Sequence, residues 1–346
     1  MSKILVVGNS LAVVKAIEDI RRDDQQSEIA LFCTEGVLPY DRLSLPSLVA
    51  GTIKESHTHS ITESFFKEHR VEVIAKEKLL RISLKRKYLT TENKTQIDYD
   101  KLFIADLGSV TDLPVKGHQK KGVFDCFLLS SVKGLIKYLP FTDTVFVMVT
   151  NMQGFNTACA LHALGKEVNI ITSENKLLPS YIDDETSALL KQIVENQGIR
   201  VILENTIEEI LGDSDIKAVR LQSGKVIAAQ MVVADMLPLD WRLITEETGF
   251  EKIGDDYFEM GLPLKPTHFG FKAVEGFCVG MTKLPESGRE YLKFDGPQNI
   301  YKKIFAQGDV LVGAVLFNAP SHEKEILKTI TERVSIEGQE EALIGG

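Results

Sequence analysis

The sequence predicts an α/β protein: two strand–turn–helix–strand units in tandem, then a small α+β ending. Three observations carry this. Lys3-Ile4-Leu5-Val6-Val7 reads as a buried strand, Gly8 as a tight turn and the residues through Arg22 as a helix; Glu28 to Cys33 then reads as a second strand. The same order returns later: Thr144 to Val149 is an apolar strand, Gly154 to Gly165 a helix with small residues on one face, and Val168 to Ile171 a strand. Near the end, Ile300 to Ala306 and Val310 to Phe317 flank the turn Gln307-Gly308-Asp309 as an antiparallel hairpin. A strand, glycine turn and helix repeated within one chain predicts two Rossmann-like folds in tandem.

The remaining elements follow in order. Leu43 to Gly51 is a short helical stretch closed by Gly51, and Phe65 to Arg70 a second short helix before a strand at Val71 to Ala75. Leu79 to Tyr99 alternates apolar and polar residues around Glu92-Asn93-Lys94, which predicts a meander or hairpin with the basic cluster Lys85-Arg86-Lys87 on a solvated face. Tyr99 to Ala105 is a buried strand that stops at Gly108-Ser109. Ser130 to Leu139 is a helix; so is Thr186 to Gln197, closed by Gly198 before a strand at Ile199 to Leu203. Val219 to Leu221 and Lys225 to Ile227 form a hairpin, and Met231 to Ala234 is again a buried strand. Asp255 to Pro266 is irregular, and Gly276 to Gly280 a strand. Ser321 is expected to cap a helix running to about Arg333, and the last dozen residues to fray.

Composition narrows the function. At 346 residues the chain is long enough for two or three domains, and 44% hydrophobic with 26% charged residues is the make-up of a globular protein. A net charge of -9 argues against nucleic acid or an anionic membrane as the main partner. No apolar run is long enough to span a bilayer, and a core strand begins almost at Met1, so no signal peptide is expected. A cytoplasmic location and reduced, buried thiols at Cys33, Cys126, Cys159 and Cys278 are expected. His57 and His59 have a spacing that suits a metal, but no third ligand of similar quality lies nearby.

The order of motifs is more specific. Pro39-Tyr40-Asp41-Arg42 is followed by Leu45 and Ala50-Gly51; Tyr99-Asp100-Lys101-Leu102 leads into Ala105 and Gly108-Ser109; Leu177-Leu178-Pro179 precedes Asp183; and Tyr301-Lys302-Lys303 pairs with Leu311 to Val315. In this order and spacing the chain resembles the FAD- and NAD(P)-dependent pyridine nucleotide oxidoreductases. It is most similar to rubredoxin reductases and the flavin module of assimilatory nitrite reductases. The resemblance implies an FAD-type domain at 1–113 and 236–283, interrupted by an NAD(P)-type domain at 114–235, and a C-terminal α+β domain at 284–346. It implies that Gly8, Asn9 and Ser10 lie at the FAD pyrophosphate, at a helix N-terminus whose N–H groups favour phosphate. It implies further that Glu35 takes the adenosine ribose, that Arg42 reaches the phosphates, and that Gly108 and Gly280 lie beside the cofactor.

The chain departs from that family at several of these positions. Ser10 stands where a glycine permits close approach of phosphate, and Val13 where a small residue lets helix and strand pack. Ala105-Asp106-Leu107-Gly108-Ser109 is one residue longer than the family's turn, and Met281 stands where an aspartate binds a ribityl hydroxyl. Losing such a charged hydrogen bond costs about 1.5–3 kcal/mol, and three steric changes add to it. The second turn, Val149-Thr150-Asn151-Met152-Gln153-Gly154, keeps only its last glycine, and Thr172 replaces the acid expected after the next strand, with Glu174 a weak substitute. A weakened FAD site and no NAD(P)H binding are therefore expected. No Cys-x-x-Cys is present, and no catalytic residue is assigned. Three functions follow from these departures. The favoured one is a non-catalytic subunit or scaffold with a protein partner. The others are an active FAD enzyme with an unusual donor or acceptor, and a binder of ADP or AMP.

Overall fold

The computed structural model describes residues 2–59, 61–105, 115–235, 267–271 and 274–345. These residues divide into two compact units. The first comprises 2–59, 61–105 and 125–137; the second comprises 115–124, 138–235, 267–271 and 274–345.

The first unit is built on a parallel sheet in the order β3-β2-β1-β7, with β1 at Lys3–Val7, β2 at Glu28–Phe32, β3 at Val71–Ile74 and β7 at Lys101–Ile104. β1 is apolar at every position from Ile4 to Val7 because both faces of the sheet are covered. On one face Ile4 and Val6 meet Val13, Ala16, Ile17 and Ile20 of helix α1 (Ala12–Asp23). On the other, Leu5 and Val7 meet Leu89 and Ile97. Those two belong to the antiparallel meander β4 (Leu79–Ser83), β5 (Tyr88–Thr91) and β6 (Gln96–Asp98), as the alternation predicts. Short helices α2 (Leu45–Val49) and α3 (Glu63–Glu68) precede β3, and Gly51 closes α2 at φ +71°. α4 (Leu129–Tyr138) lies largely in this unit.

The second unit repeats the plan. Its sheet runs β11-β10-β9-β15-β8, with β8 at Val123–Asp125, β9 at Thr144–Met148, β10 at Glu167–Ile171, β11 at Arg200–Ile202 and β15 at Met231–Ala234. β9 pairs in parallel with both β10 and β15. Helix α5 (Met152–Ala163) follows the turn after β9, and α6 (Asp184–Asn196) is capped by the Asp183 side chain accepting from the Thr186 N–H at 2.8 Å. β12 (Ile207–Leu211), β13 (Ala218–Leu221) and β14 (Val226–Ala228) form a separate antiparallel ribbon.

An antiparallel sheet follows in the same unit, in the order β16-β17-β20-β19-β18. Its strands are β16 (Thr267–Phe271), β17 (Val274–Gly280), β18 (Arg289–Asp295), β19 (Ile300–Gln307) and β20 (Val310–Phe317). The expected hairpin is β19–β20. β17 lies within 236–283, the residues expected to rejoin the first domain; its partners are β16 and β20. Helices α7 (Pro320–Glu332) and α8 (Glu340–Ile344) close one face of this sheet over Phe277, Ile304 and Leu316.

Two details differ from expectation. α7 starts at Pro320 with Ala319 in the cap position, not Ser321, because proline fits the first turn, where its missing N–H is not needed. The C-terminal segment is not frayed: Leu343 and Ile344 are buried in the core, and the Tyr291 hydroxyl donates to Glu340 at 3.2 Å.

Candidate functional site

The first glycine turn joins β1 to α1. Gly8 has φ +151°, outside the range of ordinary L-residues, and its N–H donates to Phe32 O at 3.0 Å. Asn9 is fully buried, and its side chain makes three bonds to the loop after β2. Oδ1 accepts from the Thr34 hydroxyl at 3.0 Å and from the Glu35 N–H at 2.9 Å, and Nδ2 donates to Val37 O at 2.6 Å. Ser10 and Leu11 present their carbonyls to the N–H groups of Val13 and Val14 at 3.2 and 3.1 Å, so the helix begins with a tightened turn. Val13 is wholly buried in the core between α1 and β1. The helix therefore packs through a valine where close approach would demand a smaller residue.

Glu35 and Arg42 come together with Tyr40. The Arg42 guanidinium lies 3.2 Å from Glu35 Oε1, and the two side chains are only 13% and 8% exposed, so this is a largely buried ion pair. The Tyr40 hydroxyl lies 2.8 and 2.9 Å from the two Glu35 oxygens, donates to that carboxylate, and accepts the Leu129 N–H at 3.0 Å. Burial first, and the Glu35 charge second, push the Tyr40 phenol far above its ordinary range, so it stays a hydrogen-bond donor. Asp125 accepts from the N–H groups of Phe127 and Leu128 at 2.9 and 2.7 Å; burial raises its pKa while those bonds and the Arg42 charge oppose the rise. Glu35 and Arg42 are thus engaged with each other and with Tyr40.

The second turn is closed by a residue that the sequence reading did not single out. Asp235 follows β15, is 3% exposed, and reaches back to the turn after β9. Its Oδ2 accepts the Thr150 N–H and the Asn151 N–H, both at 2.8 Å, while the Thr150 hydroxyl donates to the Asp235 carbonyl at 3.1 Å. The next donors are also held. The Asn151 side chain accepts from Gln153 N at 2.8 Å and Gly154 N at 3.4 Å. These are the backbone groups that a helix N-terminus offers to phosphate. Gly154 explains its own survival: a Cβ there would lie 2.5 Å from Asp235 Oδ2. Burial pushes the Asp235 carboxyl up to about 6 against the pull of its N–H partners. Thr172 is buried; its hydroxyl accepts from Glu174 N at 3.3 Å and its carbonyl from Asn205 N at 3.0 Å, so the loop after β10 is built without a buried acid. The signal for Asp235 was a single charge ending the apolar run Met231 to Ala234.

Gly280 ends β17 in the second unit, at φ +66°, where a Cβ would strike the Val312 carbonyl. It is a glycine because β20 lies close against it, and the Met281 N–H that follows donates to Val312 O at 2.9 Å. Gly108 and the lengthened turn from Asp106 to Ser109 lie outside the described residues, as does the irregular stretch Asp255 to Pro266. The four cysteines are buried thiols. Among the described residues no helix is long and apolar enough to cross a membrane. A hollow lined by Arg21, Arg22, His69 and Arg70 together with Glu18 and Glu68 is not an anion site in waiting. Arg21 directs its guanidinium at the carbonyls of Asp24, Ser27, His69 and Arg70 and acts as a clamp.

Two parallel sheets, each with a turn leading from a central strand into a helix N-terminus, define an α/β protein of the dinucleotide-binding class. Residues 2–236 match the pyridine nucleotide-disulphide oxidoreductase family, and residues 271–334 match the rubredoxin NAD+ reductase C-terminal domain. The chain belongs to the pyridine nucleotide-disulphide oxidoreductase family. It is 24% identical to a nitrite reductase [NAD(P)H] of Bacillus subtilis (strain 168), over 96% of this chain and 48% of that one. It is 27% identical to a rubredoxin-NAD(+) reductase of Ectopseudomonas oleovorans, over 66% of this chain and 60% of that one. The chain thus spans about half the length of these curated relatives. In fold it is similar to the covalent putidaredoxin reductase–putidaredoxin complex, with a TM-score of 0.77 at 14% identity over 96% of this chain and 94% of that one. An NAD-dependent persulfide reductase from A. fulgidus gives 0.75 at 17% identity, over 97% of this chain and 78% of that one.

Proposed function

We propose that this chain is a non-catalytic member of its family, serving as a subunit or assembly scaffold for a redox protein or enzyme complex. One observation carries the reading: Asp235 and the Asn151 side chain hold the N–H groups of the second turn that a dinucleotide pyrophosphate would need. NAD(P)H does not fit that turn without displacing a buried carboxylate. The FAD side is weakened differently. Glu35 and Arg42, which the resemblance assigns to ribose and phosphates, are paired with each other at 3.2 Å. Relatives support a partner: one is named an assimilatory nitrate reductase electron transfer subunit, and another is a nitrite reductase large subunit. The proposed division is a dinucleotide-type fold at 1–113 with 236–283, a second at 114–235 and a C-terminal part at 284–346. The pairing of β17 with β20 argues for starting that last part at β16.

A second reading, an active flavoprotein with an unusual donor, is favoured by the first turn, where Gly8 and Asn9 keep the backbone bend. The visible spectrum of unheated, purified protein decides between them. Colourless protein that does not take up added FAD is expected; a stoichiometric flavin spectrum overturns the scaffold reading. Melting with millimolar ADP or AMP tests the adenosine-phosphate alternative, and no shift is expected.

A further inference from the structure

Among the described residues, the second turn gathers ligand-type chemistry that the chain itself satisfies. A buried carboxylate receives two backbone N–H groups at equal distance, 2.8 Å, at the mouth of a helix. That is the donor geometry a phosphate oxygen meets at such a turn. The carboxylate comes from the far end of the sheet's sequence: Asp235 is 85 residues from Thr150 and 84 from Asn151. β15 lies directly beside β9, with Val233 paired to Val147, so the strand end delivers Asp235 to the turn with no loop to traverse. The space the carboxylate fills is the space above Gly154, the one glycine of the turn that remains.

We infer that Asp235 is a built-in substitute for a ligand phosphate: the Thr150–Asn151 turn is an anion site whose resident anion is part of the chain. This deepens the reading of the second fold as one that does not take NAD(P)H, and rests on it. Two consequences distinguish it from an ordinary buried acid. An external phosphate cannot enter while Asp235 is in place, because one carboxylate oxygen takes both donors. Removing the carboxylate leaves a polar hollow that a small oxyanion fills, since the donors remain aimed into it and Gly154 leaves room. Inorganic phosphate is the probe, being small enough to avoid the Val149 and Asn151 side chains that a dinucleotide would meet.

The experiment compares wild type with Asp235→Ala in thermal melts over a titration of inorganic phosphate at fixed ionic strength. The expected result is a variant that melts several degrees below wild type and is raised saturably by millimolar phosphate, while wild type moves no further than in sodium chloride. A variant as stable as wild type, or phosphate raising both proteins equally, overturns the inference. If Asp235→Ala does not fold, Asp235→Asn carries the test. Its amide oxygen still fits the turn but lacks the charge, so hydrogen exchange at the Thr150 and Asn151 amides is expected to speed up several-fold while β9 and β15 stay protected. Unchanged exchange overturns the inference. The flavin spectrum of the wild type decides the reading of the whole chain separately: flavin there removes the scaffold function and leaves the phosphate result standing. A failed phosphate rescue removes the role of Asp235 and leaves the spectrum to be read by itself.

Discussion

A Cβ built on Gly154 would lie 2.5 to 2.7 Å from three atoms of the Asp235 side chain, all of it buried. Gly154→Ala is therefore expected to lower stability by about 1–3 kcal/mol, the range for overpacking a filled site, as measured by urea denaturation. The same substitution in an Asp235→Ala background should cost much less, because the two side chains contest one volume. Asp235 also sets a pH dependence. Its folded pKa of about 6 stands above the ordinary value of 3.8 because burial disfavours the charge. Between those values the folded protein holds a proton that the unfolded chain has lost. Stability contributed by this group is thus greatest below about pH 4, falls as pH rises towards 6, and is level above it. Among the described residues the Tyr181 phenol feels the Asp235 charge, and burial raises it above its ordinary value of about 10, so it stays neutral throughout this window. Asp235→Asn should remove this slope, on the order of 3 kcal/mol at most, in chemical denaturation at pH 4 and pH 7.

At the scale of elements, the loop after β2 is held by side chains. Tyr40 fills a fully buried position and links Glu35 to the N-terminus of α4 through the Leu129 N–H. Tyr40→Phe keeps the packing and removes the hydroxyl's contacts with Glu35, the Phe127 carbonyl and the Leu129 N–H, leaving a buried carboxylate one donor short and a buried N–H without its acceptor. A loss of about 1–3 kcal/mol in stability is expected from equilibrium unfolding. The sequence made the apolar strands legible: Ile4 to Val7, Val145 to Val147 and Met231 to Ala234 are buried on both faces, and such runs announce a covered parallel sheet. It also placed Glu35 and Arg42 near the first turn. What it did not disclose was their mutual pairing or the reach of Asp235, since both depend on side chains brought together by the fold. β18 stayed hidden for a local reason. Arg289 to Asp295 does not alternate cleanly, with Arg289-Glu290 followed by Tyr291-Leu292, and most of its residues are exposed, so its pairing with β19 rests on backbone bonds that composition does not encode. α8 escaped notice because five residues of helix carry little periodicity; only Leu343 and Ile344 bury it.

At the scale of the whole molecule, a buried cation of the second unit ties its antiparallel sheet to the start of α6. Lys303 of β19 is 3% exposed, with its ammonium 2.9 Å from Asp183, 2.9 Å from Glu185 and 3.2 Å from Glu290. Tyr301, two residues before it, has its hydroxyl 2.9 Å from that of Thr186. The antiparallel sheet is thereby joined to the N-terminus of α6. Burial works against the charge on Lys303, but its carboxylate partners outweigh burial and raise its pKa, so the stabilisation is present through neutral pH, is lost in strong alkali as the ammonium deprotonates, and is lost in acid as Asp183, whose pKa the pairing lowers, takes up a proton. Lys303→Met should lower the melting temperature, with a loss of about 1–3 kcal/mol. The figure stays modest because Glu185 and Glu290 are 59% and 39% exposed and water already screens them.

Asn9 has a consequence for how such a chain matures. Its amide organises the loop from Thr34 to Val37 with three bonds supplied by the polypeptide. A protein whose folded state is stabilised by a bound cofactor gains that stability only in proportion to the cofactor present. On the non-catalytic reading proposed above, the ordering is encoded at translation, and the cellular level of the chain should be indifferent to vitamin supply. In riboflavin-starved cells its abundance should hold steady while that of authentic flavoproteins declines, and a parallel decline would show that the loop waits for flavin after all.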